Sequence, residues 1–301
     1  MKSPFRILAT TDFQPSAQHA ADRAFRLAAE TGAQLTLMHT IRQRVIDELH
    51  KLLGRDSAKL EEDIHQQAHD SLAKLAAELG HAHGIAADIH LATGKLLQSI
   101  LDHAAAIDAG LLVFGTSGGN FLLGTTAARL IRMTRLPILV VKQAPSHAYQ
   151  RVLVPVDFSP VSARSLQMAR QLAPQAHIVL LHAFESAFEG KLLYAGVGDA
   201  VIQQFRSTAK HEAQQQLHVL ADTVGGPSKV SMLALHGNPA QRIIEQEQVH
   251  GSDLIVMGKQ GKDMIEEFLL GSVTKHVLAE SQCDVLVMAD GRPPREADND
   301  V

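Results

Sequence analysis

The chain has 301 residues, 46% apolar and 20% charged, with a formal charge of −4. That is roughly two domains of about 150 residues each with the composition of a globular protein, neither disordered nor fibrous. The charge gives no general pull toward nucleic acid or an anionic membrane, and 4% aromatics without Trp argue against a base-stacking platform.

In chain order, short apolar runs alternate with helical patterns. Strands are expected in the first half near Ile7–Thr11, Leu35–His39, Ala87–Leu91, Leu111–Gly115 and Ile138–Val141. Most are apolar at consecutive positions, as in strands covered on both faces. Between them, Ser16–Ala29 carries Ala20, Ala24, Leu27 and Ala28 at helical spacing, with Ser16 as the expected N-cap. Asp70–Leu79 puts Leu72, Leu75, Ala76 and Leu79 on one face, and Gly94–Ala106 and Thr125–Thr134 complete the helices. The second half repeats the pattern, with strands near Val152–Val156, Ile178–Ala183, Lys229–Leu235, Leu254–Met257 and Val285–Met288, and an Ala- and Gln-rich helix near Gln203–Leu220.

The two halves are copies of one another. Arg6-Ile-Leu-Ala-Thr-Thr-Asp12-Phe13 returns as Arg151-Val-Leu-Val-Pro-Val-Asp157-Phe158, and Leu35-Thr-Leu-Met-His39 as Ile178-Val-Leu-Leu-His182. Leu111-Leu-Val-Phe-Gly115 matches Leu254-Ile-Val-Met-Gly258, Gly124-Thr125 matches Gly271-Ser272, and Pro137-Ile-Leu-Val-Val141 matches Asp284-Val-Leu-Val-Met288. The expected division is a first domain over 1–143, a polar linker over 144–149, a second domain over 150–290 and a polar tail over 291–301. Strand–helix alternation with long crossovers predicts an α/β fold: two tandem, doubly wound, five-stranded parallel-sheet domains.

In such sheets ligands collect beyond the carboxyl ends of the strands. Asp157 follows the first strand of the second half. After its fourth strand comes Gly258-Lys-Gln-Gly261, then nine residues, then Gly271-Ser272-Val273 opening a helix. Glycines there allow positive φ and close approach to an anion, and the helix start offers unpaired amides and a positive dipole end. Ser272 adds a hydroxyl, Lys259 and Lys262 add charge, and Asp157 suits a ribose hydroxyl or a bridging Mg²⁺. Asp263, Glu266 and Glu267 in the intervening segment oppose a triphosphate if turned inward.

This spacing in its strand context resembles the universal stress protein family, twice over nearly the whole chain. The supporting residues are Val154-Pro155-Val156-Asp157, Leu180-Leu-His182-Ala183, His236-Gly237, Val256-Met257-Gly258 and the run from Gly271 to Val287. The resemblance implies a Rossmann-like, adenine nucleotide α-hydrolase-like fold that binds ATP in many members. Carried over, Pro155, Val156 and Asp157 would line the base, ribose and metal side, Asp157 reaching Mg through the nucleotide. Ala183 and Met257 would border adenine, and Gly258, Gly261, Gly271, Ser272 and Val273 would cradle phosphates. Single-domain members commonly dimerise through their last strand. Here Ile138–Val141 and Val285–Met288 would be exposed apolar edges if the halves were separate, so the two halves are expected to pair through them about a pseudo-two-fold axis within one chain. Two chains can then associate further as a homodimer.

The first half departs from the pattern. Gly115-Thr-Ser-Gly118 and Asp12 are present, but only five residues separate Gly118 from Gly124, and Thr10-Thr11 stands where the second half has Pro155-Val156. A degenerate, structural site is expected there.

The 17 histidines invite a metal reading. His65 and His69 share a helix face, with His81, His83 and His90 nearby in sequence, yet no zinc-type Cys/His quartet exists, so a solvated face is the favoured reading. His39 and His182 end equivalent strands and are expected to pack and to bond to backbone. His236 has no visible partner. Cys283 precedes the last strand, cannot form an internal disulfide, and is expected to be buried and inert. No nucleophile elbow or Walker lysine occurs.

No run approaches the ~20 apolar residues of a membrane span, and Met1 to Asp12 lacks the features of a signal peptide. A cytoplasmic stress-response protein is expected, binding ATP, ADP or AMP mainly in its second half as a sensing or regulatory ligand, with at most slow hydrolysis. A nucleotide-free interaction or chaperone-like module is the alternative. An adenylating enzyme using the same cleft is the third reading. Neither nucleic acid nor membrane insertion is expected.

Overall fold

The computed structural model describes residues 5–53, 57–116, 125–185, 198–224, 229–261 and 269–289. The first half runs β1 (Arg6–Thr10), α1 (Pro15–Thr31), β2 (Gln34–Arg42), α2 (Gln43–Leu53), α3 (Ser57–His83), β3 (Asp88–Gly94), α4 (Leu96–Ala106), β4 (Leu111–Gly115), α5 (Thr125–Met133) and β5 (Ile138–Val141). The second half runs β6 (Arg151–Pro155), α6 (Pro160–Leu172), β7 (His177–Phe184), α7 (Asp199–Asp222), β8 (Val230–His236), α8 (Pro239–His250), β9 (Leu254–Gly258), α9 (Ser272–Glu280) and β10 (Asp284–Met288).

The consecutive apolar residues of the inner strands are buried on both sheet faces, as parallel strands between helix layers must be. One core layer packs α1, α3, α6 and α7 side chains such as Phe25, Leu72, Leu166 and Leu217 against Ile7, Leu37, Val154 and Val256. The other packs Ile100, Leu130, Ile243 and Leu278 from α4, α5, α8 and α9 against Leu8, Leu112, Leu153 and Ile255.

Each half has strand order 3-2-1-4-5, and the halves join into one ten-stranded sheet, β3-β2-β1-β4-β5-β10-β9-β6-β7-β8. Every pairing is parallel except the seam, where β5 and β10 run antiparallel. Leu139 lies opposite Leu286, its own counterpart in the repeat, with Ile138 opposite Val287 and Val140 opposite Val285. A residue facing its own equivalent marks a pseudo-two-fold axis through that pair.

Two helix expectations need correction. Ser16 does not cap α1: the N-cap is Gln14, with no side-chain cap bond, and Pro15 opens the helix. Proline is preorganised for that position because its missing N–H has no partner to lose there. α3 spans Ser57–His83 rather than 70–79, and α2 precedes it. The added first part of α3 is rich in Gln, Glu, Asp and His and shows only a sparse apolar stripe, whereas α2 carries Val45, Ile46, Leu49 and Leu52 at helical spacing, a stripe not singled out from the sequence. Among the described residues no helix is long and apolar enough to cross a membrane.

Candidate functional site

The carboxyl ends of the second-half strands open onto a cavity of about 470 Å³, a size typical of small-molecule sites. It lies where strand order reverses, between β6 and β9. Pro155, Val156, Asp157, Ala183, Met257, Gly258, Gly261, Gly271, Ser272 and Val273 all line it, so these ten residues singled out from sequence converge on one space. Leu181, Pro239 and Ile243 add an apolar wall. None of the three was singled out as a site residue: Leu181 falls within the Leu180–Ala183 run, while Pro239 and Ile243 sit on α8, which carries no motif.

The turn after β6 aims the carboxylate. Phe158 adopts φ 61°, a left-handed conformation that bulky residues rarely occupy, and its ring packs 4.4 Å from that of His182. His182 Nδ1 lies 2.8 Å from Val156 O. A carbonyl only accepts, so Nδ1 carries the proton. Burial lowers the pKa of this ring, with the Val156 bond and the Asp157 charge acting the other way. The first half repeats the device: Phe13 has φ 64°, its ring lies 4.5 Å from His39, and His39 Nδ1 bonds Thr11 O at 2.7 Å. The backbone bonds expected of the two strand-end histidines are present.

Asp157 Oδ1 is saturated, accepting from Ser159 N at 3.0 Å, Ser159 Oγ at 2.6 Å and Ser162 Oγ at 2.9 Å. Oδ2 has no hydrogen bond among the described residues, and a Cβ placed on Gly261 would lie 3.8 Å from it. One oxygen is therefore fixed while the other stays available to a hydroxyl or a hard cation.

The glycines act differently from expectation. None of Gly258, Gly261 and Gly271 has positive φ. A Cβ on Gly258 would sit 3.2 Å from Gln260 O and Val161 Cγ1, and one on Gly271 3.4 Å from Lys259 O. Close packing, not left-handed backbone, favours glycine at Gly258, the contact at Gly271 is an ordinary one, and Gly261 leaves the cavity open. Gly271 is the N-cap of α9, with no side-chain cap bond, so first-turn amides of a helix lacking internal partners lie at the cavity edge. Thr274 Oγ1 ties that turn to Gly258 O at 2.8 Å.

Lys259 does not supply charge to this cavity. Its side chain is buried, and Nζ donates to Arg132 O at the end of α5, 2.9 Å away, across the boundary between halves. Lys262, Asp263, Glu266 and Glu267 lie outside the described residues, as do Gly118 and Gly124 of the first half.

The first half holds the larger cavity, about 630 Å³, lined by Thr10, Thr11, Asp12, Thr40, Phe114, Gly115, Thr116 and Thr126 among others. The shortened glycine loop suggested a reduced site. Instead Val45 of α2 and Ile64, Gln67 and Ser71 of α3 line this cavity as well, extending its walls beyond the strand ends.

His65 Nε2 lies 3.3 Å from Thr93 Oγ1, and His69 Nδ1 lies 3.5 Å from Asp70. Among the described residues no group of three His, Cys, Asp or Glu could hold a metal. His236 meets Phe184 edge-on at 5.7 Å. Cys283 is buried, and its thiol pKa is pushed well up by burial and then by Glu247.

The family model described as the universal stress protein family matches residues 5–142 and again 148–289. A universal stress protein of Methanocaldococcus jannaschii is 31% identical over 151 residues, covering 49% of this chain and 85% of that protein. One from Mycolicibacterium smegmatis is 25% identical over 300 residues, covering 94% of this chain and 97% of its own. The crystal structure of a universal stress protein from Archaeoglobus fulgidus superposes with a TM-score of 0.70 at 19% identity, covering 95% of this chain and 98% of that one.

Proposed function

Because the chain belongs to the universal stress protein family, we propose that its second half binds an adenine nucleotide, ATP foremost with ADP and AMP as shorter occupants, as a regulatory ligand in a cytoplasmic stress response. The observation that carries this reading is the convergence of the ten motif residues on one cavity with an uncapped helix start at its edge. Adenine would lie against Met257 and the β7 backbone at Ala183, ribose near Pro155 and Val156, and phosphates over Gly258, Gly261 and the α9 amides. The free Oδ2 of Asp157 is an oxygen donor of the kind Mg²⁺ takes alongside phosphates; bound there, the cation would neutralise phosphate charge.

Asp157 and His182 are the ionisable side chains among the described residues lining the cavity. Asp157 Oδ1 and His182 Nδ1 are both committed to local hydrogen bonds. A binding role with at most slow hydrolysis follows. The β5–β10 seam takes the place of the dimer contact that single-domain relatives form between chains, so a homodimer of whole chains would use another surface.

The test is to purify the protein natively, denature it and assay the supernatant for adenylate, then to titrate ATP with Mg²⁺ calorimetrically. Gly261→Glu should weaken binding at least tenfold without disturbing the fold, since its Cβ has room. Asp157→Ala should cost more affinity with Mg²⁺ than without. If the wild type binds no adenylate, the nucleotide-free interaction module replaces this reading.

A further inference from the structure

The first-half cavity differs from the second in chemistry as well as size. Thr10, Thr11 and Thr40 stand where the second half has Pro155, Val156 and Ala183, replacing apolar positions by hydroxyls. Thr40 is only 7% exposed, lines the cavity, and its Oγ1 has no hydrogen-bond partner. A buried hydroxyl left unpaired is unfavourable, so this one is a donor in want of an acceptor.

Two residues further along β2, on the same strand face, Arg42 also lines the cavity. It has no ion pair among the described residues, and its counterpart in the repeat is Glu185. Beside these two residues the cavity is apolar, lined by Met38 of β2, Leu96 and Ile100 of α4, Phe114 of β4 and Leu130 of α5. Arg42 is the sole Lys or Arg lining this cavity among the described residues, and Asp12 sets one carboxylate against it, so the lining suits a singly charged anion held at the Arg42 end rather than a polyphosphate. A planar guanidinium beside a hydroxyl donor matches a carboxylate, which accepts from both.

We propose that the first-half cavity is a separate site for a monocarboxylate with an apolar body, its carboxylate held by Arg42 and Thr40 Oγ1 and its body packed against the α4–α5 wall. The site is independent of the nucleotide reading of the second half, and testing it in the Gly261→Glu protein keeps the two apart.

The experiment is calorimetric titration of full-length Gly261→Glu protein with decanoate below its micelle concentration, with decanol and with ATP. Decanoate should bind, and decanol at least tenfold more weakly. Thr40→Val and Arg42→Gln should each weaken decanoate at least fivefold, while Thr40→Ser retains most of the affinity. Thr40→Val should leave the unliganded melting temperature unchanged or raised, because it removes an unpaired buried hydroxyl. Arg42 is exposed, so its variant tests the site without threatening the fold. Equal binding of decanol and decanoate, or unchanged affinity in both variants, would overturn the proposal by reducing the cavity to a non-selective apolar space. ATP binding that Thr40→Val abolishes would overturn it in favour of a second nucleotide site.

Discussion

Lys142 sits just past β5, buried at the junction of the halves. Its ammonium donates to Leu278 O, Ser281 O and Ser281 Oγ at 2.7–2.9 Å. Nearby, Asp284 Oδ1 accepts from Lys142 N at 2.8 Å, and Oδ2 accepts from Tyr149 OH at 2.6 Å. Arg23 Nε forms an ion pair with Oδ2 at 3.3 Å, outside hydrogen-bond alignment, with its guanidinium 4.0 Å over the Tyr149 ring. Burial pushes the Lys142 pKa down from 10.5 to about 8, against the pull of Cys283, Glu247 and Asp284. A base whose pKa is depressed by folding contributes stability above its unfolded pKa and loses it as pH falls toward the folded value. The unfolding free energy of wild type minus that of Lys142→Met should therefore rise between pH 8 and 10.5, by up to roughly 3 kcal/mol, and stay level below pH 8. Urea denaturation at stepped pH measures it. Tyr149 and Cys283, both raised by burial, give the opposite slope, but they are present in both proteins and largely cancel in the difference. A level difference throughout would mean that the three acceptors fully offset burial.

At the scale of elements, the approach of α1 to β4 depends on Gly115. A Cβ there would lie 2.2 Å from Ser16 O and 3.0 Å from Ala17 N, which are backbone atoms that cannot rotate away. The counterpart Gly258 would meet Gln260 O and the Val161 side chain at 3.2 Å, a mild conflict. Gly115→Ala should therefore destabilise at the upper end of the 1–3 kcal/mol typical of overpacking, and Gly258→Ala clearly less, as read from denaturation midpoints. Equal losses would show that α1 can slide. Strand positions were legible because buried parallel strands are written as unbroken apolar runs. That ten residues of the second half share one cavity was legible because repeat and motif coincide there. Three features were not. α2 follows β2 directly, with no intervening turn residue between Arg42 and Gln43, so its start is unmarked even though Val45, Ile46, Leu49 and Leu52 recur at helical spacing. The contribution of α2 and α3 to the first-half cavity is a tertiary contact, invisible to a motif that counts only the glycine loop. Lys259, adjacent to Gly258, read as a phosphate ligand because a linear pattern cannot show that its side chain reaches Arg132 in the other half.

For the whole molecule, the seam closes two edges at once. β5 and β10 are buried along their full length, whereas the two outer strands are only partly buried: β3 carries Asp88, His90 and Thr93, and β8 carries Ser231 and His236 among apolar residues. The two fully buried apolar edges thus lie inside the sheet, and at the first-half end a more polar strand, β3, faces outward where unpaired backbone invites aggregation. The buried Asp284 adds a condition, since Arg23, Lys142 and Tyr149 reach it from residues before β6. Cutting the chain would expose Val285, Leu286 and Val287 and strip that carboxylate of its partners. The second half expressed alone, from residue 150 to 290, should restore the lost pairing with another copy. Sedimentation equilibrium should report a dimer at tens of micromolar, and Leu286→Lys, which sets two like charges face to face on the axis, should abolish it. A soluble monomer at that concentration would mean that β10 tolerates exposure, and the antiparallel seam would then be a consequence of tethering rather than of the apolar edges themselves.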